Sequence, residues 1–223
     1  MLQKKSKKVL IYFLLLFLLG SINNIGLNKI QFSSISNIKI LGLGNENNNF
    51  LSESINSLQL ENIFFINEKQ IQNIIESNNL VERYDIFKIY PSSLYINIQK
   101  TKFLARTNLN GINHIIATNG KLIKNGSYIE KMPFVFGNPK IEEFLKFKEI
   151  IDKSKFEYQN IKNLYFFSSG RWDIELINEI IIKLPEKDLE SSVELAFEFL
   201  NSDNFDQIKF LDLRINKQLI LND

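Results

Sequence analysis

The residue types that most often carry out chemistry in proteins are scarce in this 223-residue chain. His114 is the only histidine and there is no cysteine, so disulfides, thiolate catalysis and cysteine-based zinc sites are excluded. A catalytic zinc ion usually takes three protein ligands, and the chain has no second histidine to join the first. We therefore interpret His114, which lies beside a predicted hairpin, as an exposed structural residue.

Two other patterns resemble enzyme motifs only superficially. The sequence "LGLGN" at 41–45 is similar to a nucleotide-binding loop, but it lacks the third glycine and the following helix geometry of such loops. Glu142 and Glu143 are adjacent in a predicted helix, where neighbours in sequence do not face one another, so they do not form an acid–base pair. No Gly-x-Ser-x-Gly motif occurs. The sequence therefore predicts a protein that is not an enzyme and uses no cofactor.

The composition indicates a folded protein without a nucleic-acid partner or a small-molecule substrate. Apolar residues make up 44% of the chain, which is too many for a disordered protein. The net charge is +2 and both signs are mixed along the sequence, so no basic surface suited to nucleic acid is expected. The length suffices for one large domain or two small ones.

The N-terminus has the pattern of a membrane anchor. Four lysines, at positions 4, 5, 7 and 8, precede an apolar run from Val9 to Leu19. We predict a transmembrane signal-anchor helix at 9–28, with residues 1–8 in the cytoplasm and the remainder exported. A cleaved signal peptide is the alternative, although Leu18-Leu19-Gly20 is a poor small–x–small cleavage site.

The next region predicts a small unit of order β-α-α-β-β. Ile38 and Ile40 alternate as in a strand, and 51–58 has helical spacing. A second helix is predicted after Asn67, which forms a capping box with Gln70. Two further strands, over 84–90 and 94–98, are separated by Pro91, which cannot donate to a sheet. We expect both helices to pack on one face of a mixed sheet.

The remainder of the chain, from about Phe103, predicts a β-rich domain with two helices, so the fold class is α+β. Asn-Gly dipeptides at 110–111, 119–120 and 125–126 are typical of hairpins. Apolar stripes predict helices over 141–151 and 189–200, and strands are predicted over 161–168, 171–177 and 179–184. Trp172 is interpreted as a core residue, and Asp212 and Arg214 as a local ion pair.

Several short motifs, in order, resemble those of the FtsQ/DivIB family of bacterial cell-division proteins. They are "IKILG", "NIFFINEKQI", "IFKIYPSSLYINI", "ATNGKLI", "MPFVFG", "RWDIEL", "IKLPE" and "FLDLR". The chain departs from the family pattern after the third strand, where "QKTKFLA" replaces a Glu and Pro, and in the hairpin after Trp172, which has Asn178-Glu179 instead of a glycine turn.

The resemblance implies a single-pass inner-membrane protein with a periplasmic POTRA domain at 33–102 and an FtsQ-type β domain at 103–223. It implies a non-enzymatic scaffold at the division septum that links early and late components of the divisome and binds FtsB/FtsL-like membrane proteins. The alternative is a membrane-anchored periplasmic POTRA adaptor of another envelope assembly or secretion machine.

The resemblance also implies that partners bind by strand addition at the last strand of the chain. This mode requires an edge strand with free N–H and C=O groups. The predicted partner-binding residues are Arg214, Ile215, Asn216, Lys217, Gln218, Leu219, Ile220 and Leu221. The alternative is that this strand is fully paired within its own sheet and that its apolar residues belong to the core.

Overall fold

A computed structural model of the chain describes residues 3–22, 34–60, 62–124, 132–201, 208–215 and 220–222. These residues form five α-helices and twelve β-strands in two sheets, which confirms the α+β class. In chain order the elements are α1 (Gln3–Ile22), β1 (Asn37–Leu41), α2 (Asn45–Asn56), α3 (Glu68–Ser77), β2 (Val81–Ile89), β3 (Ser93–Lys100), β4 (Phe103–Leu109), β5 (Ile112–Ala117), β6 (Leu122–Lys124), β7 (Phe134–Phe136), α4 (Ile141–Lys153), β8 (Ile161–Phe166), β9 (Trp172–Leu176), β10 (Ile181–Lys183), α5 (Leu189–Leu200), β11 (Phe210–Asp212) and β12 (Ile220–Asn222).

The N-terminal helix α1 has large apolar side chains on all sides from Val9 to Leu19, and they are exposed to solvent. Within the described part of the chain, no helix combines the length and the apolar character that crossing a membrane requires. The predicted span at 9–28 extends past Ile22 into residues outside the described ranges, and it stays a prediction.

The first sheet has the predicted order of elements. Its strands lie in the order β1-β3-β2, with β1 parallel to β3 and β2 antiparallel to it. One face of the sheet packs on α2 and α3, because the alternating strand residues meet the apolar stripes of both helices. The buried contacts come from Ile40, Leu51, Ile55, Ile71, Ile75, Leu94, Ile96 and Ile98. The turn between β2 and β3 contains a cis peptide bond at Tyr90-Pro91.

Two details of the first unit differ from the sequence predictions. Asn67 occupies the N-cap of α3, but its side chain makes no capping hydrogen bond, so the predicted capping box with Gln70 is wrong. A helix does follow "LGLGN", since α2 begins at Asn45. Packing requires glycine at position 42 of this segment, because a Cβ on Gly42 would lie 1.7 Å from the carbonyl oxygen of Ile98.

The second sheet has nine strands among the described residues, in the order β12-β11-β10-β9-β8-β7-β4-β5-β6. Most pairs are antiparallel, whereas β4–β7, β7–β8 and β10–β11 are parallel. Each parallel pair needs a crossover connection. Helix α4 lies in the crossover between β7 and β8, and α5 lies in the crossover between β10 and β11.

Both crossover helices pack on one face of this sheet. Phe144, Phe147 and Ile151 from α4, and Val193 and Ala196 from α5, share a core with the inward strand residues. Trp172 is 3% exposed and its ring stacks on that of Phe147 with centroids 4.5 Å apart. The interpretation of Trp172 as a core residue is confirmed.

The structure confirms two of the three predicted Asn-Gly turns, and the third lies outside the described residues. Asn110-Gly111 joins β4 to β5 with both residues at positive φ, as a two-residue turn requires. Asn119-Gly120 lies between β5 and β6 as predicted, and the third dipeptide falls at 125–126, outside the described residues. Between β9 and β10, Glu179 has a φ of 70°, in the left-handed region that favours glycine.

Hydrogen bonds join the two sheets where β3 leads into β4. The Glu82 carboxylate accepts from the Thr101 hydroxyl at 2.7 Å and from the Thr118 hydroxyl at 2.8 Å. The Asn119 side-chain amide donates to the carbonyl oxygens of Asn79 and Val81 at 3.0 and 2.8 Å. The turn after β5 therefore contacts the start of β2.

Candidate functional site

The candidate site is the edge of the nine-stranded sheet formed by β12. This strand pairs antiparallel with β11, with Leu221 opposite Leu211 and Ile220 opposite Asp212. No strand lies beyond β12 among the residues that the structure describes. The strand therefore has one paired side and one side that faces outward.

The hydrogen bonds of β11 indicate which groups point toward that outer side. The Leu213 N–H donates to the Lys183 carbonyl oxygen at 2.9 Å, and the Ile181 N–H donates to the Lys209 carbonyl oxygen at 3.0 Å. The odd-numbered residues at 209–213 therefore bond to β10. Since successive peptide groups of a strand point to opposite sides, the even-numbered residues bond to β12.

The partners of these even-numbered residues are Ile220 and Asn222. Leu221 lies between them, so by the same alternation its N–H and C=O point away from β11. These are the groups that an incoming strand would use. The side chains of Ile220 and Leu221 are 45% and 39% exposed, and they lie on opposite faces of the sheet.

The structure places the eight predicted partner-binding residues in two groups. Ile220 and Leu221 belong to β12, whereas Arg214 and Ile215 follow the end of β11 and are not part of a strand. The predictions for residues 216–219 fall outside the described residues. Arg214 and Ile215 therefore lie outside the edge strand, and the partner-binding role of the eight residues stays a prediction.

The reason for this difference is a local turn at Asp212. Its side chain accepts the backbone N–H of Arg214 at 3.1 Å, which is a turn geometry that competes with strand pairing. The Arg214 guanidinium also donates to the Asp212 carboxylate, at 2.8 and 2.9 Å from Nε. The predicted ion pair is confirmed, and it joins a buried carboxylate, with Asp212 6% exposed, to an arginine whose side chain is 45% exposed.

Charged side chains form a ladder next to this edge, on the sheet face opposite α4 and α5. Asp173, Lys183 and Asp212 are cross-strand neighbours on β9, β10 and β11. Arg171 extends the ladder at one end, with Nε 3.1 Å from Asp173, and Arg214 extends it at the other. Sequence reasoning missed this ladder, although alternation of charged residues with buried apolar ones on these strands was a signal for it.

The two buried carboxyl groups of the ladder respond differently to their surroundings. Burial raises the pKa of Asp173, and the nearby Arg171 offsets only part of this effect. Hydrogen bonds from Arg214 lower the pKa of Asp212, against the opposing effect of burial. The ladder therefore stabilises the charged form of Asp212, next to the candidate edge, more than that of Asp173.

Glu175 anchors a second polar cluster on the same sheet face. Its carboxylate accepts from Tyr165 at 2.6 Å and from Asn163 at 2.8 Å, and Lys162 Nζ lies 2.9 Å away. Burial acts to raise the pKa of Glu175, but these hydrogen bonds outweigh it and hold the pKa at about 2. A carboxylate with such a low pKa is ionised near neutral pH and is unsuited to act as a general acid there.

A groove lies between α5 and the segment after β11. Its walls carry the acidic residues Glu186, Asp188, Glu194 and Glu198, with Leu213, Arg214 and Ile215 on the opposite side. Leu195 and Ile215 expose 42% and 51% of their surface there. The segment after β11 thus offers apolar contacts in an acidic setting.

The residues considered for enzymatic chemistry lie apart from this edge. His114 is on β5, half-buried, with Nδ1 2.9 Å from the Ile112 carbonyl oxygen. Glu142 and Glu143 are on the exposed side of α4, as predicted. Among the described residues, no group of three or more His, Asp or Glu side chains is placed to hold a metal ion.

Comparisons with known proteins agree on one family. The family model described as "Cell division protein FtsQ/DivIB, C-terminal" matches residues 105–214, which run from β4 to the end of the turn after β11. The cell division protein FtsQ of Rickettsia bellii is 25% identical over 193 residues, which cover 81% of this chain and 68% of that protein. The cell division protein DivIB of Clostridium botulinum strain Hall is 29% identical over 153 residues, covering 66% of this chain and 59% of that protein.

A solved structure, the major extracytoplasmic domain of DivIB from Geobacillus stearothermophilus, aligns with 47% of this chain and 99% of its own, at 8% identity and a TM-score of 0.34. That score is too low to indicate a shared fold. The family match, which covers the second sheet from β4 to β11, and the matches to FtsQ and DivIB proteins carry the assignment. The chain belongs to the FtsQ/DivIB family of cell-division proteins.

Proposed function

We propose that this protein is a non-enzymatic scaffold of the bacterial divisome that recruits partner proteins through β12. The single observation that carries the proposal is the outward-facing side of β12, at the end of the nine-stranded sheet. The names of the relatives support a role in cell division. The partners are FtsB/FtsL-like single-pass division proteins.

Strand addition is the binding mode that this edge favours. An extended partner segment would pair with the N–H and C=O of Leu221, and main-chain hydrogen bonds would supply affinity with little dependence on partner sequence. Ile220 on one face and Ile215 beside the groove are exposed, and they would contact alternate side chains of the partner.

The domain division and membrane topology form part of the same proposal. Residues 33–102 are a periplasmic POTRA domain and 103–223 are the FtsQ-type β domain. The β-α-α-β-β order and the separate hydrophobic core of the first sheet support this division. The apolar run Val9–Leu19 of α1, which follows four lysines at the start of the same helix, supports an inner-membrane anchor with the N-terminus in the cytoplasm and the domains concentrated at the septum.

Co-purification tests the proposal directly. The full chain and a variant that lacks residues 217–223 are each co-expressed with candidate FtsB- and FtsL-like partners and recovered from detergent. We expect the truncation to lose the partners while thermal unfolding remains cooperative. Lys124→Ala, in β6 at the opposite edge of the same sheet, is the control and keeps them.

If the folded truncated protein retains its partners, the edge-strand mechanism is wrong. Localisation of a fluorescent fusion separates division from another envelope function. A midcell signal in dividing cells is the expected result, and an even peripheral signal contradicts a divisome role.

A further inference from the structure

Exposed aromatic side chains cluster at one end of the first sheet. Phe64 and Phe65 lie in the loop between α2 and α3 and are 53% and 79% exposed, and Tyr90 in the β2–β3 turn is 60% exposed. Large aromatic groups are usually buried, and a group of three exposed ones marks a contact surface. This cluster is far along the chain from β12 and plays no part in strand addition.

The aromatic cluster is held in place by local hydrogen bonds. The Asn62 side-chain oxygen accepts the backbone N–H groups of Phe64 at 3.0 Å and Phe65 at 3.1 Å. The rings of Phe64 and Tyr90 contact each other with centroids 5.1 Å apart. The loop and the turn therefore form one surface.

The chain enters the first unit at this same end. The Ser36 N–H donates to the Ser92 carbonyl oxygen at 2.9 Å, and the two serine hydroxyls lie 3.0 Å apart. In the parallel pairing of β1 with β3, Asn37 is opposite Ser93, directly after the turn that carries Tyr90. The entry point and the aromatic cluster are thus neighbours.

The position of α1 in the chain limits how far this end can lie from the proposed anchor. Helix α1 ends at Ile22 and the described chain resumes at Ser34, twelve residues later. A fully extended stretch of that length spans at most about 40 Å. The aromatic end therefore adjoins the point at which the chain coming from the proposed anchor enters the folded domain.

We propose that Phe64, Phe65 and Tyr90 insert into the headgroup region of the bilayer that holds α1. This inference rests on the proposed membrane anchor and adds a second contact with lipid. Aromatic rings favour the membrane–water interface, where an apolar body and a polar edge are both accommodated. The nearby Glu68 is paired with Lys88 at 2.6 Å, so its carboxylate does not oppose an anionic surface, and Lys69 is exposed beside it.

The contact would fix the orientation of the first domain on the membrane. A single point of attachment leaves the orientation of a domain free, whereas attachment plus an interfacial cluster restricts it to one face. The β12 edge belongs to the second sheet, which is hydrogen-bonded to the first through Glu82 and Asn119. Docking the aromatic end would therefore also set the direction in which β12 is presented.

Quenching by nitroxide lipids tests this inference in the full chain. The natural sequence has no cysteine, so single cysteines carry a fluorophore at Gln70 near the aromatic end, at Ile177 in the β9–β10 hairpin, and at Leu15 within α1. Each labelled protein is reconstituted into phosphatidylethanolamine–phosphatidylglycerol vesicles with a headgroup-level quencher. We expect quenching at Gln70 to exceed that at Ile177 at least threefold.

Matched variants assign the effect to the aromatic rings. Phe65→Ser combined with Tyr90→Ser should reduce quenching at Gln70 at least twofold, while Phe50→Ser, which removes a 65% exposed phenylalanine on α2, leaves it unchanged. Equal quenching at Gln70 and Ile177, with Leu15 strongly quenched by a deep probe, overturns this inference alone. An unquenched Leu15 overturns the membrane anchor and the inference together. Energy transfer between Gln70 labels at dilute protein would mean that a second copy covers the rings, which also contradicts lipid contact.

Discussion

Leu211 and Leu221 lie directly opposite each other across the last two strands of the large sheet, and their peptide groups point in opposite directions. Those of Leu211 bond to β10, as the odd-numbered pattern of β11 requires, whereas those of Leu221 point away from β11. The side chains share one face, and the backbone of Leu221 is left for a partner. The peptide groups of Leu211 therefore stabilise the sheet, whereas those of Leu221 can recruit another chain.

Gly42 and Gly44 form a natural pair for testing why the "LGLGN" segment needs glycine. Both have positive φ, but a Cβ on Gly42 would collide with the Ile98 backbone, whereas a Cβ on Gly44 meets nothing within 4 Å. We expect Gly42→Ala to lower the free energy of unfolding by about 3 kcal/mol, because the Ile98 backbone atoms cannot move aside without disturbing the sheet. Gly44→Ala should cost about 1–2 kcal/mol, from backbone strain alone. Chemical denaturation measures both, and equal losses would contradict the steric explanation.

Replacing Glu179 by glycine should stabilise the protein. Glu179 adopts a φ of 70° in the β9–β10 turn, and its exposed carboxylate is 3.8 Å from Lys162, too weak a contact to matter. We expect Glu179→Gly to raise the free energy of unfolding by about 0.5–1 kcal/mol through relief of the left-handed strain. Glu194→Gly, in the middle of α5, is the control and should lower it by about 1 kcal/mol. A loss of stability at position 179 would contradict the strain account.

The Glu175 cluster predicts a specific dependence of stability on pH. Its pKa is about 2 in the folded protein, below the ordinary value of 4.5. A carboxyl with a lowered folded pKa contributes stability above its unfolded pKa and loses it as the pH falls toward the folded pKa. The contribution of Glu175 should therefore be complete above about pH 5 and decline between the unfolded and folded values.

Glu175→Gln isolates this contribution. At neutral pH the variant should be less stable by about 1–2 kcal/mol, since charge-assisted hydrogen bonds from Tyr165, Asn163 and Lys162 are weakened. The difference in melting temperature between the two proteins should shrink as the pH falls from 5 to 2. Glu53→Gln, at an exposed position on α2, serves as the control for removing a surface carboxylate. A difference for Glu175 that stays constant over this range would show that its ionisation is not coupled to folding.

The elements with strong periodicity were predictable from the sequence. The alternation of Leu94, Ile96 and Ile98 and the helical spacing of Ile71 and Ile75 identify buried faces, and these faces meet in the core of the first unit. Asn110-Gly111 is a two-residue turn for the reason that its dipeptide suggests, namely positive φ at both residues. These features are local, so sequence spacing is enough to define them.

The features that the sequence did not reveal depend on contacts between distant segments. The alternation of residues predicts that Arg214 continues β11, but the Asp212 side chain accepts the Arg214 backbone N–H and a turn begins there. The pairing of Asp173 with Lys183 and Asp212 requires the strand order β9-β10-β11, in which a crossover helix separates two neighbours. The outward direction of the Leu221 peptide groups depends on that order as well, which is why the candidate edge was expected from family resemblance and not from periodicity.

The backbone of Leu221 offers the most direct test of the central claim. Leu221→Pro removes the outward N–H without removing a hydrogen bond to β11, because proline lacks only that donor and is tolerated on edge strands. Leu221→Ala keeps the N–H and shortens the side chain. Binding of the purified full-length variants to reconstituted FtsB/FtsL-like partners is measured, with thermal unfolding as the control for folding. We expect the folded proline variant to lose at least tenfold in affinity and the alanine variant to lose much less. A folded proline variant that binds as well as the alanine variant would contradict recruitment through the main chain of β12.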